Sequence, residues 1–222
     1  MTQDNPTLYQ VSPSMMDLDA DEVDVFNALL AEWQRHLSSN IRNEAYYRGK
    51  VKPVAVDSSM PKELLDLGVV SGWGGKCVDV LANRSVLEGF DGEDAATLES
   101  IVPISSLIEL YEQAVTSELT DSCAFLTVSK GMEGEPAVIV SAHSALDAAA
   151  IWDERKKRIK AGICVVDIDV DKGGRRVPTW VNMYTDRFTY SCRKVGETWK
   201  TDKYENKLGR PLMEPLRYRP SL

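Results

Sequence analysis

The sequence predicts an α+β fold, and two observations carry that expectation. Through residues 19–120 of the 222-residue chain, apolar side chains recur at spacings of three and four, the period of a helix face. Across residues 121–222, short apolar and β-branched segments alternate with charged or glycine-containing turns, as antiparallel strands do. Helices therefore come first and a mostly antiparallel β meander follows.

Residues 1–18 contain Pro6 and Pro13 with little periodicity and read as an N-terminal arm. From Asp21, the residues Val23, Phe26, Leu30, Trp33, Leu37 and Ile41 place one apolar seam along about five helical turns. Asp19 or Asp21 is the expected N-cap and Gly49 the stop. Residues 51–71 read as an irregular connection with a short helical turn opened by Pro61 and running through Leu64 and Leu65. A second helix is expected over about 75–84, an extended piece over 85–90, and helical patterns near 93–100 and 105–119, separated by Pro103.

Strands follow at 124–129 and 136–142, joined by the hairpin loop 130–135, then at 148–152, 159–170, 178–185, 187–193 and 198–202. Composition agrees with a folded chain, since 43% hydrophobic and 27% charged residues are ordinary for a globular protein. No window supplies the run of about 18 apolar residues that a membrane span needs, and the first residues carry no basic or apolar export signal. A cytoplasmic protein with no membrane contact is the expectation.

The formal charge of −8 speaks against a surface that grips nucleic acid, which needs a local excess of Lys and Arg. The one dense basic run, Arg155-Lys156-Lys157-Arg158, follows Asp153-Glu154 and reads as a solvated hairpin tip. Cys77, Cys123, Cys164 and Cys192 stand singly, with only His36 and His143 to complement them, so the spacings do not point to zinc. No metal or cofactor is expected.

One stretch carries more specific information. The first helix ends in Tyr46-Tyr47-Arg48-Gly49-Lys50; after a connection come Gly72-Trp73-Gly74-Gly75-Lys76-Cys77-Val78-Asp79-Val80-Leu81-Ala82-Asn83-Arg84 and then Leu87-Glu88-Gly89-Phe90. This order resembles the N-terminal part of the portal proteins of tailed bacteriophages, which place a Gly-Trp, a Val-Asp-x-Leu-x-x-Arg helix and a Gly-Phe after a tyrosine-rich helix end. The family continues with a strand hairpin, a Ser/His-containing crossover, a strand ending in Trp-Asp, a basic turn and a long hairpin pair. Here Ser141-Ala142-His143-Ser144, Ile151-Trp152-Asp153 and residues 156–169 match those pieces, and residues 208–220 resemble the Leu-Gly-Arg-x-Pro-type strand that closes the wing. The resemblance runs from about residue 25 to the last.

It implies a structural subunit and no enzyme. The wing would be represented here, without the stem, clip and crown that portal subunits also have. The full-length protein would form a ring with itself, usually a dodecamer, at one capsid vertex of the virion after assembly in the host cytoplasm. Its partners would be the major capsid or scaffold protein, the terminase large subunit and a head-completion adaptor. Double-stranded DNA would pass during packaging and ejection without sequence-specific binding. Tyr46, Tyr47, Arg48, Asp79 and Arg84 are the candidate subunit-interface residues, because amphipathic rings and charges beside them suit half-buried contacts. Trp33 and Trp73 are expected in the core, with an anchor between subunits as the alternative for each, and the Cys77, Val80 and Leu81 side of the second helix is expected to pack on the first near Trp33 and Leu37.

The rival reading is a metal-dependent nuclease. Asp147 with Glu154 and Lys156 imitates an Asp…Glu-x-Lys set, in which two carboxylates hold an ion and a lysine steadies the attacking water. Glu154 and Lys156 fall in the expected hairpin tip, which points into solvent. Asp167, Asp169 and Asp171 resemble the start of a calcium loop, but Lys172 and Pro178 occupy the positions where an EF-hand needs Gly and Glu. Cys77 with His143 lacks any context that would activate a thiolate.

Overall fold

The computed structural model describes residues 17–51, 72–102, 106–131, 134–170, 176–196 and 198–217. Residues 1–16 of the arm, the turn at Pro61 and Pro103 lie outside the described residues. Among the described residues the architecture is α+β: α1 (Ala20–Tyr47), α2 (Trp73–Ala82), α3 (Ala95–Ile101) and α4 (Leu107–Asp121) precede eight strands. These are β1 (Cys123–Lys130), β2 (Val138–Ser144), β3 (Ala148–Asp153), β4 (Arg158–Val170), β5 (Arg176–Tyr184), β6 (Phe188–Val195), β7 (Thr198–Glu205) and β8 (Met213–Arg217).

α1 begins where a capping carboxylate allows it to. Asp19 is the N-cap, and its backbone N–H donates to Glu22 Oε2 at 3.1 Å. The helix ends at Gly49, whose φ of 63° closes a Schellman turn: Gly49 N–H bonds the Tyr46 carbonyl and Lys50 N–H the Ala45 carbonyl. Val23, Phe26, Leu30, Trp33 and Leu37 are buried as the seam requires, joined by Leu29 and Asn40, while Ile41 is half-buried.

The expected meander is realised by β3 to β7, which pair in sequence order as a five-stranded antiparallel sheet. The first hairpin departs from it. β1 lies between β2 and the C-terminal β8 in a separate three-stranded sheet. Ser141 to Ser144, expected in a crossover, are the last residues of β2, and residues 85–90 join no strand.

Strands β3 to β5 of the five-stranded sheet are buried on both faces, which strand alternation makes possible. Ala149, Ala161, Ile163, Val165, Val181, Met183, Tyr190 and Cys192 face α1 and its Phe26, Leu29 and Trp33. Ala148, Ile159, Cys164 and Tyr184 face the other way, against Phe125 of β1 and Met213 of β8. A bulge sustains this division: Ile151 opposes Ala161 while Trp152 opposes Ile159, so Lys160 is the extra residue and Ile159 and Ala161 reach opposite faces. Gly162 makes room at the crossing, where a Cβ would meet Met213 Sδ at 2.2 Å and displace that side chain.

Trp33 is the centre of this arrangement, 1% exposed, with its Nε1–H donating to the Leu146 carbonyl at 2.8 Å. Trp73 is not in the core. It is 70% exposed, against expectation. Trp33→Ala should therefore destabilise the chain by about 3–5 kcal/mol, and Trp73→Ala by no more than about 0.5 kcal/mol, in urea unfolding followed by circular dichroism.

Candidate functional site

The residues singled out for an interface meet where α1 ends and α2 begins. Tyr47 donates its hydroxyl to Asp79 Oδ1 at 2.9 Å, and this bond, followed by burial, raises the Tyr47 pKa above that of a free phenol. Tyr46 is exposed at the same helix end, and Arg48, also exposed, pairs with Glu44 one turn back. Arg84 is exposed just beyond α2. Tyr47 and Asp79 are thus brought together, and the other three surround them on the surface of the same two helix ends.

Two glycines permit the approach. A Cβ at Gly75 would stand 2.8 Å from the Tyr47 carbonyl oxygen, and one at Gly74 would stand 3.0 Å from that of Tyr46. The first turn of α2, rich in unsatisfied N–H groups, therefore lies against the carbonyl-rich end of α1, where the two helix dipoles attract. Gly74, Gly75, Val78 and Ala82 share the inward side, and Ala82 is its buried residue. The expected packing is reversed. Trp73, Cys77, Val80 and Leu81 point outward, with Val80 53% and Leu81 52% exposed, because contact at carbonyl distance accepts only small residues.

Beside this junction lies an open cleft of about 650 Å³, bounded by the ends of α1 and α2, one side of α4, the end of β2 and Asp147. Glu44, Glu109, Glu112 and Asp147 line it, together with His143, and among the described residues its lining includes no lysine or arginine. His143 is half-buried, bonded to Thr127 Oγ1 at 3.0 Å, and burial lowers its pKa. Asp121, the last residue of α4, has a buried Oδ1 without a hydrogen-bond partner among the described residues. Burial foremost, and then the charges of Glu44 and Asp147, push its pKa up to about 7. A carboxylate at a helix C-terminus also opposes the helix dipole. No motif marked Asp121; an acidic residue at the end of a helix was the available signal.

The nuclease constellation is not assembled. Asp147 precedes β3 and Glu154 and Lys156 follow it, so they stand about 20 Å apart across six strand residues. Ser144 Oγ donates to Asp147 Oδ2 at 3.2 Å, while Glu154 pairs with Lys157 at 3.0 Å in the exposed tip. Asp167 and Asp169 are exposed and accept the N–H of the residue after each, at 2.9 and 2.7 Å; Asp171 lies outside the described residues. Among the described residues, no three His, Cys, Asp or Glu side chains are grouped to hold a metal ion. No helix among them is long and apolar enough to cross a membrane.

The raised pKa of Asp121 has a defined sign. Folding binds its proton more tightly than the unfolded chain does, so this group's contribution to stability falls as pH rises from the ordinary 3.8 to about 7. Asp121→Asn should therefore raise the melting temperature at about pH 8 and leave it little changed at about pH 4, flattening the profile between them. Scanning calorimetry across that range is the check.

No protein-family model matches the chain, and no curated protein matches it significantly.

Proposed function

We propose that this chain is the wing region of a portal subunit of a tailed bacteriophage. The observation that carries the reading is the meeting of its two motif-bearing segments: the tyrosine-rich end of α1 and the Val-Asp-x-Leu-x-x-Arg helix are joined by the Tyr47–Asp79 bond and by the Gly74–Gly75 approach. Residues that carry the resemblance in sequence thus form one structural unit. The outward apolar stripe of α2 supports an architectural role, since exposed patches of this kind mark assembly surfaces.

On this reading the segment is a rigid flange. Its five-stranded sheet, packed under α1, holds the α1–α2 junction at a fixed place on the surface, where neighbouring subunits meet. The complete protein surrounds a DNA passage at the capsid vertex, with capsid or scaffold protein, terminase large subunit and head-completion adaptor as partners. DNA slides through without sequence-specific contact, which the acidic balance of the chain favours by repulsion. The nuclease alternative has less support, because Asp147 is separated from Glu154 and Lys156 by the length of β3.

The test is the protein expressed with every residue its reading frame encodes. Closed rings of uniform stoichiometry in electron micrographs are expected, with no DNA cleavage and no change in melting temperature on adding magnesium or manganese. A protein that stays monomeric overturns the proposal. So does magnesium-dependent cleavage that Glu154→Ala abolishes.

A further inference from the structure

The outward side of α2 combines exposed apolar bulk with positive charge. Trp73, Cys77, Val80 and Leu81 form an exposed stripe, and the exposed charges along it, Lys76 and Arg84, are both cations. Lys76 Nζ sits 6.0 Å from the Trp73 ring centroid, while Asp79, the acid of the helix, is engaged by Tyr47. The chain then reverses sign. Between Ser85 and Ser122 it carries nine carboxylates and no lysine or arginine. That acidic stretch has its own exposed apolar residues: Val86, Leu98 on α3 and Ile108 on α4, the last beside exposed Glu109 and Glu112.

We infer that the α2 stripe is one half of a contact between two copies of this chain, the other half being the acidic face of α3 and α4 around Ile108, Glu109 and Glu112. Charge complementarity selects this pairing. A two-fold contact of α2 on α2 would bring Lys76 and Arg84 toward their own copies, whereas the acidic face offers each cation a carboxylate and each apolar side chain a counterpart. α2 and α4 border the same cleft within one chain, so two copies can exchange the contact reciprocally about a two-fold axis or make it head-to-tail, and only the head-to-tail form repeats from copy to copy until rotation closes a ring. The inference deepens the portal reading, and only closure into a ring rests on it. A ten-residue helix is about 15 Å long, too short to cover the ~800 Å² per partner of a stable complex. The pair is therefore weak alone and sensitive to salt.

Sedimentation velocity over a concentration series, with zero-length carbodiimide cross-linking of amines to carboxylates, tests the contact on this chain. Concentration-dependent association that salt weakens is expected, with cross-links from Lys76 to Glu109 or Glu112. Trp73→Ala should weaken association at least about tenfold and leave the melting temperature unchanged. Lys76→Glu with Arg84→Glu should weaken it similarly, as should Glu109→Lys with Glu112→Lys, and mixing the two charge-reversed proteins should restore pairing. Monomers at every concentration overturn the inference, as does association that these variants leave unaltered. A melting temperature lowered by Trp73→Ala also overturns it, showing the stripe to be covered by its own chain. Full-length rings that survive both charge reversals overturn the contact and leave the portal reading in place; a ringless full-length protein in which the pair still forms overturns the portal reading alone.

Discussion

The position of α1 across the five-stranded sheet is the constraint on which the other features depend. Its apolar seam supplies the burial, but apolar contact is indifferent to sliding, and polar bonds fix the register. Near the N-terminus, Glu22 accepts from the Tyr190 hydroxyl at 2.7 Å and from Lys203. Burial raises the Glu22 pKa, and the bonds from Lys203, Tyr190 and the Asp19 N–H outweigh that and hold it low. Farther along, Trp33 donates to the Leu146 carbonyl, and Asn40 Nδ2 to that of Ala145 at 2.9 Å. Both of those carbonyls lie in the β2–β3 turn, so the helix pins the link between the two sheets. Where α1 ends on the surface, and hence where α2 can dock, follows from this.

A sheet covered on both sides must send successive residues to different environments, and one misplaced residue would reverse every side chain beyond it. Bulges resolve the conflict in this chain. Lys160 is inserted opposite the Ile151–Trp152 step, and between Val165 and Ile168 the register with β5 shifts twice, so Val165 and Ile168 both contribute to the α1 side despite their odd spacing. On the other face, the absence of a side chain at Gly162 admits Met213, which brings β8 down onto β4. The second sheet is positioned by that contact as much as by its own hydrogen bonds.

The fold was legible to the extent that periodicity and punctuation determine it. The α1 seam, the Asp19 cap, the Gly49 stop and the five-strand meander each announce themselves within a few residues. The partner of β1 does not, because Met213 to Arg217 are some ninety residues distant and nothing local in either strand names the other. Asn40 was unreadable for a related reason: a polar residue on an apolar face is buried only because a carbonyl from a distant turn meets it. Of the candidate site, the pairing of Tyr47 with Asp79 lay among residues the sequence marked. The acidic cleft did not: Asp147 was marked only for a different grouping, and Glu44 of α1, Glu109 and Glu112 of α4 and Asp147 of the β2–β3 turn converge only in space.

The reversed orientation of α2 has a general cause. Apolar bulk marks a buried side when a helix packs on side chains, which need volume to fill the gap; it fails when a helix packs on backbone. Against the carbonyls ending α1, volume is excluded, and the Gly74, Gly75 and Ala82 side is the one that fits. Once those small residues face inward, the 3.6-residue period leaves Trp73, Cys77, Val80 and Leu81 no place but the surface. The interior of the subunit and its outward stripe are therefore one choice. A change that enlarged Gly75 to bury α2 on its other side would have to give up the junction with Tyr47 at the same time.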